Sequence, residues 1–407
     1  MGRDRQVTGE DSRAELSAGA RAGRMREMAR FGFYEFFAGG GMARAGLGPG
    51  WKCLFANDFD SKKAAAYHAN WGDGEMWCGD VAEVRAGDLP GYADLVWASF
   101  PCQDLSLAGN GAGLNGSRSG AFWPFWKVVE GLIGDGRKPR AIVLENVCGL
   151  LSSHGGTDFT ALCRVVGSSG YRIGALVADA KDFLPQSRPR LFVIALDDRY
   201  PMPGRIQSPY AVDHWHPRRL RETQASLPET SRARWYWFNP PVPAARNSAL
   251  RDIVEDRPAD VRWHTKAETE RLLAMMSPVN RAKVDLVVNN KSPAIGAIYK
   301  RTRIEGGVKV QRAEVRFDLA GCLRTPGGGS SRQNILVAVG GEVRTRLISA
   351  RETARLMGLD DDFVLPARYN DAYHLTGDGV AAPVVRWLAA HLLEPTLALE
   401  SAAHVAA

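Results

Sequence analysis

Phe33-Tyr34-Glu35-Phe36-Phe37-Ala38-Gly39-Gly40-Gly41-Met42 decides the fold of this chain. The apolar run reads as a buried strand, the glycines as a tight turn, and a helical pattern opens near Met42. Glycines at such a turn let the backbone approach a ligand closely, and they also serve a purely structural turn. The dinucleotide spacing G-x-G-x-x-G fails, because Arg44 stands where the third glycine belongs. Working outward, apolar runs at 32–37, 52–57, 95–100, 141–144 and 191–195 alternate with helical patterns. That alternation predicts an α/β domain built on a mostly parallel, helix-covered sheet.

The strand ends carry the chemistry. Leu95-Val96-Trp97-Ala98-Ser99-Phe100 delivers Pro101-Cys102-Gln103 to the edge where α/β enzymes place reacting groups. A thiol there is a nucleophile if its pKa is lowered, and otherwise structural. The second strand ends at Asn57-Asp58-Phe59-Asp60, about 20 residues past the glycine turn, where nucleoside-binding domains place a carboxylate for the ribose hydroxyls. Asp58 is that candidate, Phe59 offers a face for adenine, and Asp80, followed by Val81, a carboxylate for its exocyclic amine. Each alone also suits a cap or a turn. No diphosphate signal accompanies them, which favours an adenosyl compound over NAD. Glu145 follows the run 141–144 and reaches the same edge as Cys102. In Gln186-Ser187-Arg188-Pro189-Arg190, alternation points Arg188 and Arg190 to one side, where two guanidiniums can hold an anion, a carbonyl oxygen or a thiolate.

At 407 residues the chain exceeds what one hydrophobic core accommodates, so two domains are expected. Residues 1–30 read as a flexible arm, 31–200 as a catalytic and cofactor-binding domain, and 201–339 as a smaller domain of Pro, Arg, Trp and short irregular runs. Helical patterning returns in 340–407, which is expected to complete the first domain. Residues 201–320 hold 21 Lys and Arg against 13 Asp and Glu, while the whole chain holds 52 against 45, so the basic excess sits in that segment. Such an excess suits a phosphate-neutralising surface, or a solvated basic face. The six cysteines are scattered without close pairs, which argues against a disulfide framework and a zinc ribbon, and no metal is expected. No apolar run approaches the roughly 18 residues of a membrane span, and a cytoplasmic protein without membrane contact is expected.

With Cys102, Glu145 and the Arg188/Arg190 pair in that order, the chain resembles the C5-cytosine DNA methyltransferases. The resemblance covers 37–41, Asp58, Asp80, 100–109, Ser117-Arg118, 145–147 and 186–190, and resumes at Arg346-Leu347-Ile348-Ser349-Ala350-Arg351-Glu352 and Gly377-Asp378-Gly379-Val380. It departs in Asp378, where the family usually carries Asn, and in Ser349 for the more frequent Thr. The resemblance implies a Rossmann-like methyltransferase sheet with a target-recognition domain inserted before the C-terminal helices. It implies S-adenosyl-L-methionine bound by Phe37, Gly39, Gly41, Met42, Asp58, Phe59, Asp80, Val81, Gly379 and Val380.

It further implies attack of the Cys102 thiolate on C6 of a flipped-out cytosine in double-stranded DNA, Glu145 at N3 and the amine, and Arg188 and Arg190 contacting the base oxygen and supporting the active-site geometry. Ser106 and Arg118 are the implied DNA contacts. A monomer is expected, nucleoid-associated through DNA, as an orphan methylase or beside a cognate restriction endonuclease that it does not touch. An RNA cytosine methyltransferase and a DNA-binding protein with a vestigial cofactor pocket are the alternatives. Asn239-Pro240-Pro241-Val242 is similar to the motif of amino-group methyltransferases, but Val242 lacks the aromatic face that motif needs.

Overall fold

The computed structural model describes residues 30–101, 120–325 and 331–399. The expected N-terminal arm but for Arg30, Cys102, Ser106 and Arg118 lie outside the described residues. Strands β1 (Phe31–Phe36), β2 (Trp51–Asp58), β3 (Met76–Cys78), β4 (Leu95–Ala98), β5 (Ala141–Val147), β6 (Tyr171–Asp179) and β7 (Pro189–Asp197) form one sheet in the order β3-β2-β1-β4-β5-β7-β6. Strands β3, β2, β1, β4 and β5 run parallel, and β7 is antiparallel to both its neighbours. Alternation along β4 sends Leu95 and Trp97 into one apolar core and Val96 and Ala98 into the other. Both faces are covered, which is why the strand reads as an unbroken apolar run.

Strands β2, β5 and β7 extend past their expected ends, while β1 and β4 stop short of theirs, at Phe36 and Ala98. Strand β5 continues through Glu145 and Asn146, and β7 already contains Arg190. Strands β3 and β6 were not anticipated.

Two short strands, β8 (Gln207–Ser208) and β9 (Trp237–Phe238), follow. The expected domain start at residue 201 does not match the packing around them. Trp235, Leu220 and Leu227 share a core with Tyr171 and Ile173 of β6. The Tyr236 amide donates to the Ile173 carbonyl at 2.7 Å. Trp215 is fully buried, stacks 4.8 Å from Trp387 and donates its indole N–H to the Pro240 carbonyl at 2.9 Å. The tryptophans that made this stretch look like a separate domain are anchors on the first sheet, because large apolar side chains bury wherever an uncovered face is available.

The second body is a four-stranded antiparallel sheet, β11-β10-β12-β13, made of β10 (Ala294–Glu305), β11 (Val308–Arg316), β12 (Asn334–Val339) and β13 (Glu342–Leu347). The helices Lys266–Ala274 and Pro278–Val288 contribute Leu272, Leu273 and Val284 to its small core with Ile298, Ala313, Val315 and Leu336. Gly306-Gly307 and Gly340-Gly341, all at positive φ, close its two hairpins. Strand β13 lies beyond the expected boundary at 340, and the helix Ala350–Leu356 returns to the first body. Entry and exit lie side by side. The His264 amide donates to the Thr345 carbonyl at 2.8 Å, and Arg346, fully buried, pairs with Glu352 at 2.6 Å while donating to the Glu255 carbonyl at 2.9 Å.

Candidate active site

Strand order reverses between β1 and β4, so the crevice outside their carboxyl ends is the topological switch point where such sheets bind ligands. Residues predicted from sequence gather there in two groups.

On the β1–β2 side, Phe37 and Gly39 both have φ of +57. The space a side chain would take at Gly39 is open, whereas at Gly41 it would meet the Trp71 indole nitrogen at 2.3 Å. Gly39 thus leaves room for a ligand, while Gly41 is small so that Trp71 can pack, its N–H bonded to the Gly40 carbonyl at 3.0 Å. Asp58 accepts from the Gly39 amide at 2.8 Å and from the Asp60 amide at 2.9 Å, clipping the glycine turn to β2. Burial raises its pKa, with those amides and Lys63 acting in the opposite direction. Next to it Phe59 is 77% exposed, an aromatic face with nothing on it among the described residues. Asp80 caps the turn Val81–Glu83 through the Ala82 amide at 2.9 Å.

Other residues expected at the cofactor lie where the first helix meets the C-terminal helices. Met42 and Val380 are buried, and a side chain at Gly379 would collide with the Met42 sulfur at 2.2 Å. Their residue types fit packing between the first helix and the C-terminal helices. Val81 is buried as well.

On the β4–β5 side, Asn146 donates to the Phe100 carbonyl at 2.9 Å and so fixes the chain just before Pro101 and Cys102. Glu145 is 5% exposed, and its Oε1 lies 3.2 Å from Nε of Arg190. The reversed direction of β7 makes this possible, since it lays Arg190, near the start of one strand, opposite Val147 at the end of another.

Of the two roles expected of Arg188, its bonds fit support of the active-site geometry. It is 1% exposed and donates to the carbonyls of Leu323 at 2.8 Å, Gly377 at 2.8 Å and Gly379 at 2.6 Å. Burial, with Arg190 adding to it, pushes its pKa down to about 10. A guanidinium with those partners is a clamp on backbone. Both arginines do share one side, because Cys322 Sγ lies 3.5 Å from Arg188 and 3.8 Å from Arg190. Burial works to raise the Cys322 thiol, and the two cations outweigh it, leaving its pKa below the usual value.

Sequence reasoning gave no role to Asn146, Gln186 or Cys322. Gln186, fully buried, bridges the Leu356 carbonyl at 2.6 Å and the Leu323 amide at 3.0 Å. Its place two residues before Arg188 was the available signal. Cys322 had none, being brought in by a return loop of the second body. Asp378 settles one departure: one oxygen accepts from the Thr325 hydroxyl and the other pairs with Lys63 at 2.8 Å.

Residues 31–394 match the C-5 cytosine-specific DNA methylase family, and the chain belongs to it. Type II methyltransferase M.NlaX of Neisseria lactamica is 26% identical over 88% of this chain and 95% of its own length. M.HhaI of Haemophilus parahaemolyticus is 25% identical over 88% and 92%. M.DsaV of Dactylococcopsis salina reaches 34%, over 41% of this chain and 46% of its own. Among solved structures, the Dnmt2 methyltransferase of S. pombe superposes with a TM-score of 0.55 at 17% identity, over 90% of this chain and 99% of that one. A putative DNA modification methyltransferase from an E. coli prophage gives 0.52 at 16%, over the same shares. The fold is thus a Rossmann-like methyltransferase sheet. Among the described residues no helix is long and apolar enough to cross a membrane, and no cluster of His, Cys, Asp and Glu could hold a metal.

Proposed function

We propose that the protein methylates C5 of a cytosine turned out of duplex DNA, using Cys102 as the nucleophile. The observation that carries this reading is Glu145, buried and held at 3.2 Å by Arg190 on the edge where β4 hands the chain to Cys102. C5 of cytosine is a poor nucleophile until a thiolate adds to C6, and that addition needs a proton held at N3. Glu145 holds that proton and accepts from the exocyclic amine, which also excludes thymine. Arg190 orients Glu145, and Arg188 positions the segments around Leu323 and Gly377. After C5 has been methylated, loss of its proton lets the C6–sulfur bond break and returns Cys102.

S-adenosylmethionine fits the other half of the crevice: Gly39 leaves open space, Asp58 offers a carboxylate, Phe59 an exposed ring and Asp80 a second carboxylate, with no diphosphate cradle beside them. When bound, it supplies the electrophilic methyl group. The second body, residues 264–347, is the part we assign to DNA recognition. The names of the relatives support a place beside a restriction endonuclease of the same site, an orphan methylase being the alternative. We take the protein to act as a monomer in the cytoplasm, on the nucleoid.

The test is bisulfite sequencing of DNA from an expressing host, together with transfer of labelled methyl from cofactor to DNA and to tRNA in vitro. Methylation at one DNA context, lost in Cys102→Ala, is the expected result. DNA carrying 5-fluorocytosine, which cannot lose a C5 proton, should form a denaturation-resistant adduct in the wild type and none in Cys102→Ala. Label entering tRNA alone, or a Cys102→Ala enzyme of normal activity, overturns the proposal.

A further inference from the structure

Strand β12 pairs with β10 only over Ala294–Ile298, whereas β10 and β11 stay paired out to Glu305 and Val308. Ala313 is still buried and bonded to the Met275 carbonyl, so the five pairs from Arg301/Arg312 to Glu305/Val308 form a free two-stranded ribbon, about 14 Å long at the usual rise per residue. Residues 301–309 are all exposed. Such a ribbon is marginal unless its side chains hold it or something covers it. It is also the width of element that the B-DNA major groove, about 12 Å across, admits.

Its two faces differ. Directly paired residues point to the same side, so one face carries Tyr299, Arg301, Arg303, Glu305, Val308, Val310, Arg312 and Glu314. Arg301 sits opposite Arg312, an arrangement of like charges that weakens a free ribbon. Two carboxylates organise these cations. Glu314 accepts from Tyr299 Oη at 2.7 Å and pairs with Arg303 and, at 3.8 Å, with Arg301; Glu305 accepts from Arg312 Nε at 2.8 Å. The guanidiniums of Arg303 and Arg312 keep 49% and 34% of their side chains exposed.

This face looks toward the crevice. The Tyr299 ring lies against Gly321, 3.2 Å from where its side chain would begin, and the next residue is Cys322, touching Arg188 and Arg190. The opposite face, with Lys300, Thr302, Ile304, Lys309 and Gln311, is continuous with the core that the helices Lys266–Ala274 and Pro278–Val288 cover.

We propose that the Arg301-Arg303-Arg312 face of this ribbon enters the major groove beside the target cytosine and reads flanking base pairs. Glu314 and Glu305 hold the arginine side chains in place on this face. The inference rests on the DNA reading given above. Arginine suits the task because its fork makes two parallel bonds to guanine, which a lysine cannot.

The experiment uses the full-length enzyme on duplex DNA with randomised flanks, read by bisulfite sequencing and with turnover measured at saturating DNA. Arg303→Ala and Arg312→Ala should each flatten discrimination at a position of the site by about 10- to 100-fold, the range for one bidentate contact. Arg303→Lys keeps charge and exposure, so it should fold and still lose discrimination. A Lys300→Ala/Gln311→Ala variant on the far face should leave the context profile unchanged. An unchanged profile in Arg303→Lys and Arg312→Ala, or a profile altered by the far-face variant, overturns the inference alone. A wild-type enzyme that leaves no methylcytosine in any context overturns the proposed function instead.

Discussion

Replacing Arg188 by Met should unfold the enzyme before it disarms it. The guanidinium donates to three carbonyls, and bonds to a charged group contribute about 1.5–3 kcal/mol each, or roughly 4–9 kcal/mol together. Against that stands the cost of burying the cation. Its pKa falls from 12.5 to about 10, which corresponds to about 3 kcal/mol disfavouring the charged form. The net expectation is a loss of about 1–6 kcal/mol, a large share of what holds a typical domain together. For domains of ~200 residues each kcal/mol moves the melting temperature by about 2–4 °C, so thermal unfolding should drop by on the order of 10 °C. Enzyme that remains folded, assayed at low temperature with saturating DNA and cofactor, should keep a measurable kcat. Arg188→Met protein with an unaltered melting temperature and no turnover would refute the clamp and return Arg188 to the substrate.

Glu35 is fully enclosed, and burial pushes its pKa up to about 8 despite the Ala43 and Arg44 amides and the Arg44 cation. A raised carboxyl keeps its full stabilising contribution below about pH 4.5 and loses it as pH climbs to about 8, so Glu35→Gln should flatten the decline in melting temperature over that window; an identical pH profile removes Glu35 as its source. Glu352→Ala leaves Arg346 buried without its partner and should cost about 3–5 kcal/mol in denaturant melts; replacing the pair together by Met and Leu should still destabilise, because the Glu255 carbonyl and the Glu255 and Ser349 amides lose their partners. Asp58→Ala releases the glycine turn and should weaken S-adenosylmethionine about tenfold or more by calorimetry, on the scale of lost charge-assisted bonds. Asp378→Asn gives up only a partly exposed pair with Lys63 and should change the melting temperature by no more than about 2 °C, since such pairs contribute 0–1 kcal/mol.

Five strands of the first sheet were legible, because a strand such as Leu95–Ala98 is buried on both sides and reads as a short apolar run, whereas the partly exposed β3 does not. The site residues at strand ends followed from the same logic, and Glu145 with Arg190 came together across β5 and β7. What stayed hidden lay in relationships between distant segments. Arg188 and Arg190 are two residues apart with the same alternation, yet one meets backbone returning from 323 and 377–379 while the other meets Glu145, and no local pattern separates those fates. Met42, Val380 and Gly379 were expected at a cofactor, and their apolar or minimal side chains pack against one another between distant helices. The second sheet was legible and overlooked: Gly306-Gly307 between two alternating, β-branched runs is a strong hairpin signal. The tryptophans of 201–240 drew attention to texture where partner faces decided the outcome.

Because residues 255–264 run alongside 345–352, the chain enters and leaves the second body through one narrow mouth, the way a drawer meets its frame. Loop-closure entropy at such a mouth rises only slowly with the length it encloses, so bodies of very different size can be housed without unsettling the sheet beneath. A transplant of 264–347 from a relative should therefore be tolerated on one condition. The donor must bring back a segment equivalent to Ala320–Leu323, whose backbone bonds with Pro185, Gln186, Ser187 and Arg188 are the catch that latches the drawer shut.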